Sequence, residues 1–224
     1  MTYQIVGAPF PVVICELEAG ESMACQTGAM AWMTQNVRMK TNTGGLGGIF
    51  SRVATGESLF QNRYTAEGGT GTIAFRAEAP GEIIALEIHP SKSIIAQKGA
   101  FIAAETGVNI EIAMQKSLGA GFFGGEGFIL QRFTGNGVVF LGIDGTVVDY
   151  YLEAGETMVM DTGTFAAAES TVSVDVEMIH GLGNVLAGGE GMFNTKAVGP
   201  GKIWLQTMPL SSFAQSILKM LPKR

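Results

Sequence analysis

Residues able to carry covalent, metal or proton chemistry are few in this chain. Its 224 residues include two cysteines, Cys15 and Cys25, and two histidines, His89 and His180. Neither the number nor the spacing suits a zinc site. Both cysteines fall in segments that alternate apolar and polar, so they read as small buried hydrophobes and not as a redox pair. His89 adjoins a turn and His180 lies in a glycine-rich connection, far from each other in sequence. No Gly-x-Ser-x-Gly elbow occurs, and no glycine-rich run ends in Gly-Lys-Ser/Thr, so acyl transfer and nucleotide binding lack their motifs. No cofactor and no metal is expected, and the chain reads as a protein that is not an enzyme.

One polar set remains as a ligand-binding candidate: Glu57, Glu126 and Glu190, each followed six positions on by a basic residue, Arg63, Arg132 and Lys196. If these occupy equivalent places about a pseudo-threefold axis, they form rings of like charge. A carboxylate ring could hold a cation or a polar small molecule. The plainer reading makes each glutamate a turn residue paired to a neighbouring base.

Their positioning follows from an internal repeat. Val13-Ile14-Cys15-Glu16-Leu17, Ile84-Ala85-Leu86-Glu87-Ile88 and Val148-Asp149-Tyr150-Tyr151-Leu152 each alternate with period two, the mark of a strand with one buried face. A turn and a second strand lead to Gly28, Gly99 and Gly163. Nine residues beyond each glycine a further strand starts, at Val37, Val108 and Val172. Each copy then runs through a Gly-x-Gly turn into a short apolar strand: Thr72-Ile73-Ala74-Phe75, Val138-Val139-Phe140-Leu141 and Lys202-Ile203-Trp204-Leu205. The expectation is an all-β protein, a single domain of three β-sandwich repeats at about 5–78, 79–144 and 145–208. A short C-terminal helix is expected over 210–221, with Leu210, Phe213, Ile217 and Leu221 as its apolar stripe and Ser211 as its cap.

Composition agrees with that architecture. Thirty-two glycines supply the turns, 46% hydrophobic residues supply a core, and only 15% of residues are charged. The net charge of −6 opposes DNA binding and makes RNA the weakest of the partner classes. No basic leader segment and no long apolar run occurs, so a cytoplasmic location is expected. Phe140 and Trp204 point away from the apolar face of their strands and need cover: another sheet layer, the C-terminal segment or another subunit. With Phe213, Ile217 and Leu221 they are the candidates for an interface or a membrane surface.

The third repeat also carries a resemblance. Gly188-Gly189-Glu190-Gly191-Met192-Phe193, then Gly199-Pro200-Gly201-Lys202-Ile203-Trp204-Leu205-Gln206-Thr207, then Pro209-Leu210 and an amphipathic helix resemble the family named after yeast altered inheritance of mitochondria protein 24. The likeness extends over nearly the whole chain. It implies the fold of the tryptophan RNA-binding attenuation protein, a shortened double-stranded β-helix, with three such repeats fused. Bacterial members are uncharacterised, and the family supplies no catalytic residues to map. The functional expectation is therefore a non-enzymatic scaffold or assembly protein acting as a homo-oligomer, a trimer by first guess, with an unidentified protein partner. The alternative is a module that binds a small ligand, lipid or cation on the pseudo-axis, with peripheral membrane contact through the helix.

Overall fold

The computed structural model describes residues 1–41, 61–116, 127–178 and 193–220. The strands fall into three sets of the same pattern. The first unit holds β1 (Thr2–Val6), β2 (Val12–Leu17), β3 (Ser22–Gln26), β4 (Met30–Met33), β5 (Val37–Thr41), β6 (Gln61–Ala66) and β7 (Gly71–Arg76). The second holds β8 (Gly81–Ile88), β9 (Ile94–Gln97), β10 (Phe101–Glu105), β11 (Val108–Lys116), β12 (Phe128–Gly135) and β13 (Gly137–Asp144). The third holds β14 (Val147–Leu152), β15 (Thr157–Asp161), β16 (Phe165–Glu169), β17 (Ser173–Met178), β18 (Phe193–Val198) and β19 (Gly201–Gln206). A helix, α1 (Leu210–Met220), follows. The protein is all-β apart from this helix and a single 3-10 turn, Lys98–Ala100, among the described residues.

The sheets do not coincide with the units. Half of one unit continues edge to edge into half of the next. The second sheet runs β5-β6-β3-β10-β13-β8, and the third runs β11-β12-β9-β16-β19-β14. The two ends of the chain are left as half-sheets, β1-β2-β7-β4 and β15-β18-β17. At the first joint Ala103 pairs with Cys25 and Ala104 with Ala24. At the second Ala167 pairs with Ala96 and Ala168 with Ile95. The register is the same at both.

Three cores lie between the four sheets. The first gathers Val13, Cys15, Leu17, Met23, Tyr64 and Phe75 of the first unit with Ile83, Ile102, Ala103 and Phe140 of the second. The second core is built from the second unit and closed by Ala167 and Trp204 of the third. Phe140 (0% exposed) and Trp204 (6%) are therefore covered by the preceding unit, which removes both from the outer surface. Another sheet layer is what covers them. The third core holds Leu152, Met160, Phe165, Phe193 and Ile203 with Ile95, Phe128 and Leu130 of the second unit.

One expectation from alternation fails here. Val148 and Tyr150 occupy the places of Val13 and Cys15, yet they are 37% and 46% exposed against 0% for the pair in the first unit. Among the described residues no further sheet lies over this face of the third unit, whereas one buries the equivalent face in the first. Among the described strands β14 is an edge strand, hydrogen-bonded to β19 alone.

Successive units are handed over by the same backbone bond near the centre. Gly81 N–H donates to Pro9 O at 2.7 Å, Gly145 N–H to Pro80 O at 3.0 Å, and Met208 N–H to Asp144 O at 3.1 Å. A Cβ on Gly81 would lie 1.9 Å from Ile143 O, so only glycine fits.

Candidate functional site

The basic members of the triplicated set sit at equivalent register positions in three different sheets. Arg63 on β6 lies opposite Ala24 and Lys40, Arg132 on β12 opposite Ile95 and Glu111, and Lys196 on β18 opposite Val159 and Asp175. Arg132 Nε is 3.7 Å from Glu111 Oε1, and both groups are partly exposed. Lys196 helps hold Asp175 below the usual carboxylate range, although the larger cause is the hydrogen bond from Lys116 Nζ. In the first unit the β5 partner of Arg63 is a lysine, so among the described residues no carboxylate stands opposite it. Glu57, Glu126 and Glu190 lie outside the described residues, as do His180 and Leu221.

The turns ahead of β3 and β15 repeat a carboxylate device. Glu21 Oε2 accepts the Glu18 N–H and Glu156 Oε2 accepts the Glu153 N–H, each at 2.8 Å. Glu21 also accepts the N-terminal ammonium of Met1 at 2.9 Å, which pulls its carboxyl below, and pushes the amine above, their ordinary values.

Polar groups also meet where the three units meet. A cleft of about 550 Å³ is lined by Gln26, Arg76, Gln97, Asp144 and Gln206 among others, with the start of α1 at its rim. Its polar floor is already engaged. Gln97 Nε2 donates to Thr162 O at 3.0 Å and to Phe165 O, and Gln206 Nε2 donates to Gly163 O at 2.7 Å. Asp144 Oδ2 accepts the Leu210 N–H at 2.7 Å, which ties the helix start to the second unit. Burial holds the Asp144 carboxyl above its ordinary value, the Leu210 bond opposes this, and Glu78 adds to it. A second, more apolar cleft of about 410 Å³ is shared by Pro9, Pro80, Met208, Leu210 and Phe213.

Along α1 the predicted stripe stays in contact with solvent: Leu210 is 42%, Phe213 42% and Ile217 46% exposed. Sequence reasoning placed these residues but passed over Trp32. That side chain, on the outer edge of β4, is 50% exposed. The repeat itself contained the signal, since Trp32 stands where Ala103 and Ala167 stand in the other units.

The cysteines do no surface chemistry. Both are free and buried, and burial pushes each thiol up to about 12. His89 is exposed and its Nδ1 shares a 2.9 Å hydrogen bond with Ser91 Oγ. Among the described residues no group of three or more His, Cys, Asp or Glu side chains could hold a metal ion. No helix of the described residues is long and apolar enough to cross a membrane.

Three sheet-sharing β-units closed by a short helix define a class of all-β repeat proteins. Within it the chain belongs to the family described as mitochondrial biogenesis AIM24, which matches residues 3–208. An uncharacterised protein of Streptococcus pyogenes serotype M6 is 30% identical over 222 residues, covering 95% of this chain and 88% of its own. A crystal structure of a Streptococcus pyogenes protein superposes with a TM-score of 0.85 at 27% identity, covering 98% of this chain and 99% of the other.

Proposed function

We propose that this chain is a non-enzymatic assembly protein that acts as a homo-oligomer in the cytoplasm. The supporting observation is the way its units associate: each joint makes one continuous sheet out of two half-sheets, and the chain ends in two half-sheets. An unpaired strand edge is a template for another chain unless it is blocked by charge, proline or a bulge. Edge strand β15, Thr-Met-Val-Met-Asp, has no such block in its centre. Native mass spectrometry across a concentration series tests the reading. Oligomers that grow with concentration support it, and a monomer at every concentration overturns it.

A second reading has its own observation. The two clefts beside α1 join all three units and could seat a small polar or lipid-like molecule. Protein taken gently from its host would then carry a reproducible extra mass in the same spectrum. Bare protein would leave the assembly reading alone.

A further inference from the structure

Each unit carries one aromatic and one alanine in direct cross-strand register. In the second unit they are Phe140 on β13 and Ala103 on β10. In the third they are Trp204 on β19 and Ala167 on β16. In the first unit the pair is swapped: Ala74 on β7 and Trp32 on β4. Phe140 and Trp204 are plugs, each closing the core of the unit before it. Trp32 stands one strand over from the plug position, on the strand equivalent to those of Ala103 and Ala167 and in direct register with Ala74, and among the described residues no unit lies before it. It is half-exposed, where Phe140 is 0% and Trp204 6% exposed.

The opposite end of the chain lacks what Trp32 would supply. Among the described residues no aromatic of a further unit closes the third core, and Val148, Tyr150 and Val159 are left on the surface. Val159 is 59% exposed; its equivalent at the second joint, Ile95, is 6% exposed. Among the described strands β10 and β16 are hydrogen-bonded on both sides, as are β3 and β9, whereas β4 bonds only to β7 and β15 only to β18. The half-sheets β1-β2-β7-β4 and β15-β18-β17 are thus the two parts of one missing joint.

We propose that the occupant of this edge is a second copy of the chain, joined head to tail: β4 of one copy pairs antiparallel with β15 of the next. The register follows from the two internal joints. Met33 stands opposite Val159 and Trp32 opposite Met160, as Ala104 stands opposite Ala24 and Ala103 opposite Cys25. Trp32 then closes the third core of the neighbouring copy. Such a joint uses two different surfaces, so repetition gives a ring or a filament and never a two-fold dimer. This inference rests on the homo-oligomer reading and specifies its interface.

The test mixes two single variants, Met33→Cys and Val159→Cys, under mild oxidation, with the oligomeric state followed separately by native mass spectrometry. The two native thiols are buried and do not interfere. A covalent dimer that forms in the mixture and in neither variant alone is expected. Cross-linking of Met33→Cys with itself, or of Val159→Cys with itself, would show two-fold edge pairing and overturn the proposal. An intramolecular bond in the double variant would show self-closure of one chain and overturn it equally. Oligomers that cross-link in none of these ways defeat the joint and leave the assembly reading standing; a monomer throughout defeats both. As a readout without cysteines, Trp32→Ala weakens association by roughly thirtyfold, the loss typical of a central aromatic contact. In the unmodified protein, tryptophan emission moves to shorter wavelength as concentration rises. Val159→Lys abolishes that movement, while Trp204 remains buried as the internal constant.

Discussion

The internal joints and the chain ends are built from the same parts and differ in one respect. At the joints, Ala103, Ala104, Ala167 and Ala168 are all 0% exposed beneath a neighbouring strand; at the first end their equivalents are Trp32 and Met33, 50% and 38% exposed. Backbone register alone therefore does not decide burial in this fold. What decides it is whether a further unit lies alongside. A position that is structural in the second and third units is surface in the first.

Breaking an internal joint should have the largest effect. Phe140→Ala empties a closed site at the first core, where the ring also meets Tyr3 edge-on with centroids 4.9 Å apart. A loss of about 3–5 kcal/mol in urea unfolding is expected. The comparison is sharpened by Trp32→Ala measured at a concentration where the protein is monomeric. Half its surface is already in water, so the loss there should stay below about 1.5 kcal/mol. Equal losses at the two positions would show that the joint and the end do not differ as described.

The second joint can be probed through its polar clasp. Gln97 belongs to the second unit, and both its partners, Thr162 O and Phe165 O, belong to the third. Gln97→Ala leaves those carbonyls without this donor in a buried setting, and a loss of about 1–3 kcal/mol is expected. Cross-unit charge matters less. Lys116 on β11 bonds Asp175 Oδ1 and Val176 O of β17, but both side chains are partly exposed, 39% and 56%. Asp175→Asn should change stability by less than about 1 kcal/mol, and the change should shrink further in high salt.

How much of this was legible in the sequence depends on what a residue's burial depends on. Local periodicity placed β2, β8 and β14, the cysteines and the helix, because alternation and turn glycines are properties of a few neighbouring residues. The burial of Phe140 and Trp204 was legible only as a need for cover, since the covering unit is distant in sequence. Alternation puts Val148 and Tyr150 on a core face for the same reason, and they are surface because no described unit lies over theirs. The polar candidates divide in the same way. Spacing aligned Arg63, Arg132 and Lys196 correctly with one another, but only the strand partners show Glu111 and Asp175 opposite the last two and Lys40 opposite the first.

The smallest effect concerns pH at the point where the third unit hands over to the helix. Asp144 accepts the Leu210 N–H, yet burial outweighs that bond and holds its carboxyl above the ordinary value of 3.8. A raised acid binds more protons folded than unfolded, so its contribution to stability falls as pH rises from 3.8 through the folded value. Glu21 works in the opposite sense. Its carboxyl is depressed by the Met1 ammonium and the Glu18 N–H, so the stability it adds is present above 4.5 and is lost as pH falls through the folded value. An asparagine at 144 keeps an acceptor for Leu210 and removes the ionisation. Urea midpoints measured from pH 3.5 upward should therefore fall less with rising pH for Asp144→Asn than for the unmodified protein. The Glu21→Gln variant should instead lose stability at neutral pH and converge with the parent in acid. If Asp144→Asn follows the parent at every pH, the carboxyl binds protons alike in the folded and unfolded chain and burial does not raise it.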